Sequence, residues 1–200
     1  VIVLAVYVWS FIASAPAFEA SLTISNAFFK DPLFDPDLSF SSHASDVAKR
    51  ANIKLGMIKR SFTSLGTNGM LQLYKSIVRP TLEYCNTAWQ PKFFKDEDEL
   101  EKVQQRASRL IPDMRHLSYP QRLKALKLPT LEYLRQRADQ IQMFKIIHEL
   151  EDLKSNVLFD MITDSRTRGH EYKIRKPLCK SNMRQMSFSV RCVNNWNSLP

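Results

Sequence analysis

The chain has 200 residues, enough for one ordinary domain or one domain with an appendage. Only 4 of them are glycine, against roughly fourteen at average usage, which argues against glycine-rich sandwiches, nucleotide-binding βαβ units and collagen-like repeats. Lys and Arg number 29 against 20 Asp and Glu, a formal net charge of +9; this points to a polyanionic partner, nucleic acid or an acidic membrane face, and says nothing about fold.

Val1 to Phe18 is an uncharged apolar run. Its length sits at the lower edge of a membrane span, which needs roughly 17–25 apolar residues. Ala13-Ser14-Ala15 and Ala15-Pro16-Ala17 offer small residues of the kind found at signal cleavage sites. No Met opens the run and no Lys or Arg precedes it, so it reads as a signal or anchor, as the trace of a truncated or mis-joined gene product, or as an element of a larger domain. Residues 19–41 carry Pro32 and Pro36 with Asp31, Asp35 and Asp37 and read as an exposed, irregular linker.

Helical rhythm begins at Ser41. Val47, Ala51, Leu55, Ile58 and Phe62 form one apolar stripe, closed by turn chemistry at 65–69. A second helix follows, with Met70, Leu73, Tyr74 and Ile77 aligned and Pro80 expected to kink or end it. Residues 82–89 suit a further short helix. The next helix opens on Asp96-Glu97-Asp98-Glu99 and closes on Arg106 and Arg109, an order that complements the helix macrodipole. The acidic run predicts a solvated first turn, and Leu100, Val103, Ala107, Leu110 and Ile111 the buried face. Ser118, Pro120 and Gln121 mark a capped helix start. Thr130 caps a long helix with Leu131, Leu134, Ala138, Ile141, Phe144 and Ile147 as its stripe. Residues 151–162 read as a weaker helix or loop. The fold class expected is mainly α: an irregular bundle over 42–163 and a basic, partly extended extension over 164–200.

That extension is one-signed. From Arg166 to Arg191 lie Arg166, Arg168, Lys173, Arg175, Lys176, Lys180, Arg184 and Arg191, opposed only by Glu171. Phe188, Val190, Val193 and Trp196 are its apolar anchors. Tyr172, Phe188 and Trp196 are placed to stack on bases, with core packing favoured for Phe188 and Trp196.

No phosphate-cradling glycine loop, nucleophile elbow or His-Glu-x-x-His is present. Cys85, Cys179 and Cys192 are too scattered for a disulfide framework and suit a reducing compartment; His170 with Cys179 and Cys192 makes a poor zinc set. Polymerase chemistry needs adjacent carboxylates for two metal ions, and no aromatic-x-Asp-Asp supplies them. No catalytic residue, metal site or cofactor is expected.

Ten segments in order nevertheless carry a likeness. They include Asp37 to His43, Lys54 to Phe62, Leu73 to Cys85 (LYKSIVRPTLEYC), Ala88 to Pro91 and Glu101 to Arg109 (EKVQQRASR). Leu126 to Tyr133 (LKLPTLEY), Arg135 to Arg137, Arg166 to His170, Phe188 to Arg191 and Val193 to Pro200 (VNNWNSLP) complete the set. Together, from about Asp37 to Pro200, the chain resembles the end of the reverse transcriptase of non-LTR, LINE-type, jockey-like retrotransposons. The resemblance implies a region downstream of the palm: the helical thumb and C-terminal extension that grip the RNA template and growing duplex. The palm, with its catalytic aspartates, and the endonuclease domain have no counterpart here.

The expected function is therefore non-specific binding of RNA or an RNA–DNA hybrid backbone by a catalytically incomplete polymerase fragment whose natural neighbour is the missing palm. Candidate contacts are Arg106, Arg109 and Arg115 with Arg166, Arg168, Lys173, Arg175 and Lys176. Such a fragment belongs in the nucleus or cytoplasm. A membrane-anchored helical protein held by 1–18, and a protein-interaction scaffold, are the alternatives.

Overall fold

The computed structural model describes residues 39–162 and 170–200. The apolar run 1–18, most of the linker, and Arg166 and Arg168 lie outside the described residues. The fold is mainly α, as the periodicity predicts, and the chain divides into two units.

The helical unit comprises Ser39–Tyr84 and Pro91–Arg135. Helix α1, Ser41–Ser61, is preceded by Phe40 in the left-handed region (φ 56°). Phe40 falls within the expected exposed linker, yet only 1% of it is accessible; it opens the core. Val47, Ala51, Leu55 and Ile58 are buried as expected. Phe62 is not: it lies one residue past the helix end, where the 3.6-residue period no longer governs direction, and is 43% exposed.

Helix α2, Thr67–Leu73, runs into a π-helical turn, Tyr74–Val78, and then α3, Arg79–Glu83. Pro80 neither ends nor breaks this run. It occupies the first turn of α3, where its missing N–H is not needed, and the wider turn before it accommodates the ring. The Arg79 N–H reaches back to the Tyr74 carbonyl. The extra residue per turn shifts the inward face to Met70, Tyr74, Val78 and Leu82, leaving Leu73 and Ile77 half-buried. Residues 84–88 form turns, not the expected helix, with Cys85 at φ 58°.

Helix α4, Phe94–Leu110, packs along α1. Its acidic start corrects the sequence reading. Asp96 is buried and accepts a hydrogen bond from Ser41 Oγ at 2.5 Å, and Ser45 Oγ donates to Glu99 at 3.3 Å. Asp96 in the first turn and Glu99 in the second thus join two helices. Leu100, Val103, Ala107 and Ile111 are buried, with Leu110 half-buried.

Helix α5, Tyr119–Leu126, begins as predicted: Gln121 Oε1 accepts from both the N–H (2.9 Å) and the hydroxyl (2.8 Å) of Ser118. Lys127 ends it at φ 51°. A buried polar network lies between these helices. Tyr74 Oη donates to Gln104 Oε1 at 2.6 Å; Gln104 Nε2 donates to the Tyr119 hydroxyl (3.1 Å) and the Pro129 carbonyl (2.9 Å). Tyr119 also donates to Glu101, whose other oxygen accepts from the Leu131 N–H at 3.0 Å. Burial pushes both tyrosine hydroxyls above their ordinary range, Tyr74 most.

Helix α6, Leu131–Ile147, starts at Thr130, whose Oγ1 accepts from the Tyr133 N–H at 3.2 Å. Its second half belongs to the other unit, Cys85–Gln90 with the described part of Gln136–Pro200. The expected stripe is wrong at two positions. Ile141 and Phe144 are 46% and 48% exposed, while Asp139, Gln142, Met143 and Ile146 turn inward. Polar residues occupy the buried face here, so a stripe drawn through apolar residues alone is rotated from the real one.

The remainder is short: α7 (Ser155–Leu158), a two-residue antiparallel pair β1 (Asp160–Met161) and β2 (Ile174–Arg175), then α8 (Asn182–Gln185), α9 (Phe188–Arg191) and α10 (Val193–Asn197). Phe188, Val190, Val193 and Trp196 are buried; Phe188, Val193 and Trp196 pack with Met143, Ile146, Leu153, Phe159 and Ile174. Among the described residues no helix is long and apolar enough to cross a membrane.

Candidate nucleic-acid interface

Two units carry the candidate cations. In the helical unit, Arg106 and Arg109 stand exposed near the C-terminal end of α4. Arg106 is steered by a 2.8 Å hydrogen bond from Nη1 to Asn52 Oδ1 on α1. Arg109 lies close enough to Arg122 to depress that residue's pKa further, after burial has already lowered it. Arg122 is a structural cation: it is buried and donates to Ser108 Oγ (3.0 Å) and the Leu117 carbonyl (2.6 Å).

Arg115 lies in the loop after α4, exposed, and lines a pocket of about 480 Å³. Lys59, from the last turn of α1, lines the same pocket, as does Phe62. The periodicity puts Phe62 on the apolar stripe of the first helix, and neither it nor Lys59 is among the contacts expected from the sequence.

In the other unit, Lys173 is half-buried and its carbonyl accepts from the Ile162 N–H at 2.9 Å. Arg175 on β2 faces Asp160 on β1 at 3.5 Å, both side chains largely in solvent, an arrangement that contributes little to stability and leaves the guanidinium accessible. Lys176 and Lys180 are exposed.

Arg191 does not belong to this surface. Nε and Nη2 donate to the two Asp139 oxygens, each at 2.8 Å, Nη1 to the Met186 carbonyl at 3.0 Å, and Nη2 also to the Thr87 carbonyl at 2.8 Å. One basic residue of the C-terminal surplus is thus consumed internally. Nothing in the local sequence signals the charge pairing, since Asp139 and Thr87 lie 52 and 104 residues away.

Of the three aromatics, Phe188 and Trp196 pack in the core. Trp196 Nε1 donates to the Tyr172 carbonyl at 2.7 Å. Tyr172 is 38% exposed, its ring 4.9 Å from His148, which sits 4.2 Å from Phe144. Among the described residues, no three of His, Cys, Asp and Glu gather as a metal set. His170 Nε2 instead lies 3.0 Å from the Trp196 carbonyl, and the buried Cys192 thiol bonds to the Phe188 carbonyl.

Comparison with protein-family models, with curated proteins and with solved structures returned no match.

Proposed function

We propose that this chain is a nucleic-acid-gripping helical segment of a non-LTR retrotransposon reverse transcriptase, one that holds RNA or an RNA–DNA hybrid by its backbone and performs no polymerisation itself. The observation that carries the reading is how the C-terminal segment divides its residues. Ile174, Phe188, Val190, Val193 and Trp196 are buried while Arg175, Lys176 and Lys180 are left at the surface. Cations displayed this way exchange condensed counterions for phosphates and need no base contact. Arg106, Arg109 and Arg115 offer the same chemistry on the helical unit.

The test is anisotropy of labelled single-stranded RNA, RNA–DNA hybrid and duplex DNA titrated with the purified chain across a salt series. Weak, sequence-tolerant binding that falls steeply with salt is expected. Affinity independent of salt, or nucleotide incorporation by the chain alone, overturns the reading.

A further inference from the structure

The pocket beside Arg115 is built differently from a solvated charged face. Its cations come from separate segments, Lys59 from the last turn of α1 and Arg115 from the loop after α4. Among the described residues neither is held by an ion pair. Phe62 lines the same pocket and its side chain remains 43% exposed. Met70 and Leu110 supply apolar wall and Thr63 a hydroxyl. At about 480 Å³ the volume falls within the range of small-ligand sites, roughly 300–1,000 Å³.

A partly exposed aromatic ring beside two cations that no ion pair holds matches the two halves of a nucleotide: a flat base and a phosphate. We propose that this pocket holds one unpaired nucleotide of a single strand, its base stacked on Phe62 and its phosphate held by Lys59 and Arg115. The pocket's one acid is Asp113, in the left-handed region at φ 64°. Its carboxylate is an acceptor for an exocyclic amine of the base. A paired base presents no free face, so the pocket favours single strands over blunt duplex. Charge alone would favour the duplex, whose phosphates are more densely spaced.

This inference rests on the nucleic-acid reading above, and the experiment separates the two. Affinities of the whole chain are measured for a single-stranded RNA carrying 2-aminopurine, a blunt RNA duplex, and heparin, which has charge but no bases. Phe62→Ala is expected to weaken the single strand about tenfold while leaving duplex and heparin within twofold, which also reports an intact fold. Phe62→Trp restores binding and quenches 2-aminopurine. Lys59→Gln with Arg115→Gln lowers the salt slope for the single strand by about one to two. If the unmodified chain binds no nucleic acid, the function proposed above falls and this site with it. If it binds, but Phe62→Ala leaves the single strand untouched or weakens all three ligands alike, the pocket assignment alone is overturned.

Discussion

Arg191 and Asp139 meet as a two-point ion pair, with side chains only 9% and 7% exposed and both N–O distances at 2.8 Å. The guanidinium also bonds to the Met186 and Thr87 carbonyls. It therefore joins helix α6, the 85–90 segment and the C-terminal helices at one point. Planar, delocalised and forked, guanidinium suits such a site, whereas an ammonium does not match its geometry.

Arg191→Met should cost about 3–5 kcal/mol, because it strands a buried carboxylate without its counter-charge. Arg191→Lys should recover only part of this. Changing both partners, Arg191→Met with Asp139→Leu, should be milder than the single change, since no lone charge is left buried. Urea midpoints of the unmodified chain, Arg191→Met, Arg191→Lys, Asp139→Leu and the double variant check this; a double variant as unstable as the sum of the Arg191→Met and Asp139→Leu singles would contradict it.

The Tyr74–Gln104 contact predicts a pH effect. Burial holds the Tyr74 hydroxyl protonated to higher pH than in the unfolded chain, where a tyrosine ionises near 10. Above that point the unfolded state binds fewer protons, so stability falls as pH rises, by up to about 1.4 kcal/mol per pH unit from this group. Below pH 10 the contribution is fully present. Tyr74→Phe should cost about 1 kcal/mol at pH 7, from the Gln104 oxygen left unmatched, and should flatten the alkaline loss. Parallel alkaline curves for the two proteins would refute the assignment.

The three thiols should react in a fixed order. Burial pushes the Cys192 thiol up to about 12, against the opposing pull of Arg191, and raises Cys85 as well. Both side chains are buried, while Cys179 is partly accessible. A disulfide-exchange reagent at pH 8 should titrate Cys179 alone in the native protein and all three in denaturant. Cys179→Ser should abolish the fast phase; its survival would show Cys85 or Cys192 to be accessible.

Gln121→Ala should lower stability by about 0.5–1 kcal/mol through the start of α5. Gln121→Glu, which keeps the acceptor for the Ser118 N–H and hydroxyl, should stay within half of that loss. Thermal midpoints distinguish the two variants.

Local signals settled a good deal of this protein in advance. Ser118 and Gln121, the Thr130 cap, the buried Val47–Ile58 stripe and the inward Phe188, Val190, Val193 and Trp196 all follow from spacing and side-chain chemistry within a few residues. The surplus of Lys and Arg was equally plain in the one-dimensional string. Only the tertiary structure decided which cations remain free, because that depends on partners far along the chain: Asp139 takes Arg191 out of the count, while Lys59 and Arg115 are left to face one pocket. It also decided the rotation of α6 and the outward placement of Phe62. Periodicity reports which side chains share a helix face. Whether that face is covered, and by apolar atoms or by a matched charge, is settled by what packs against it.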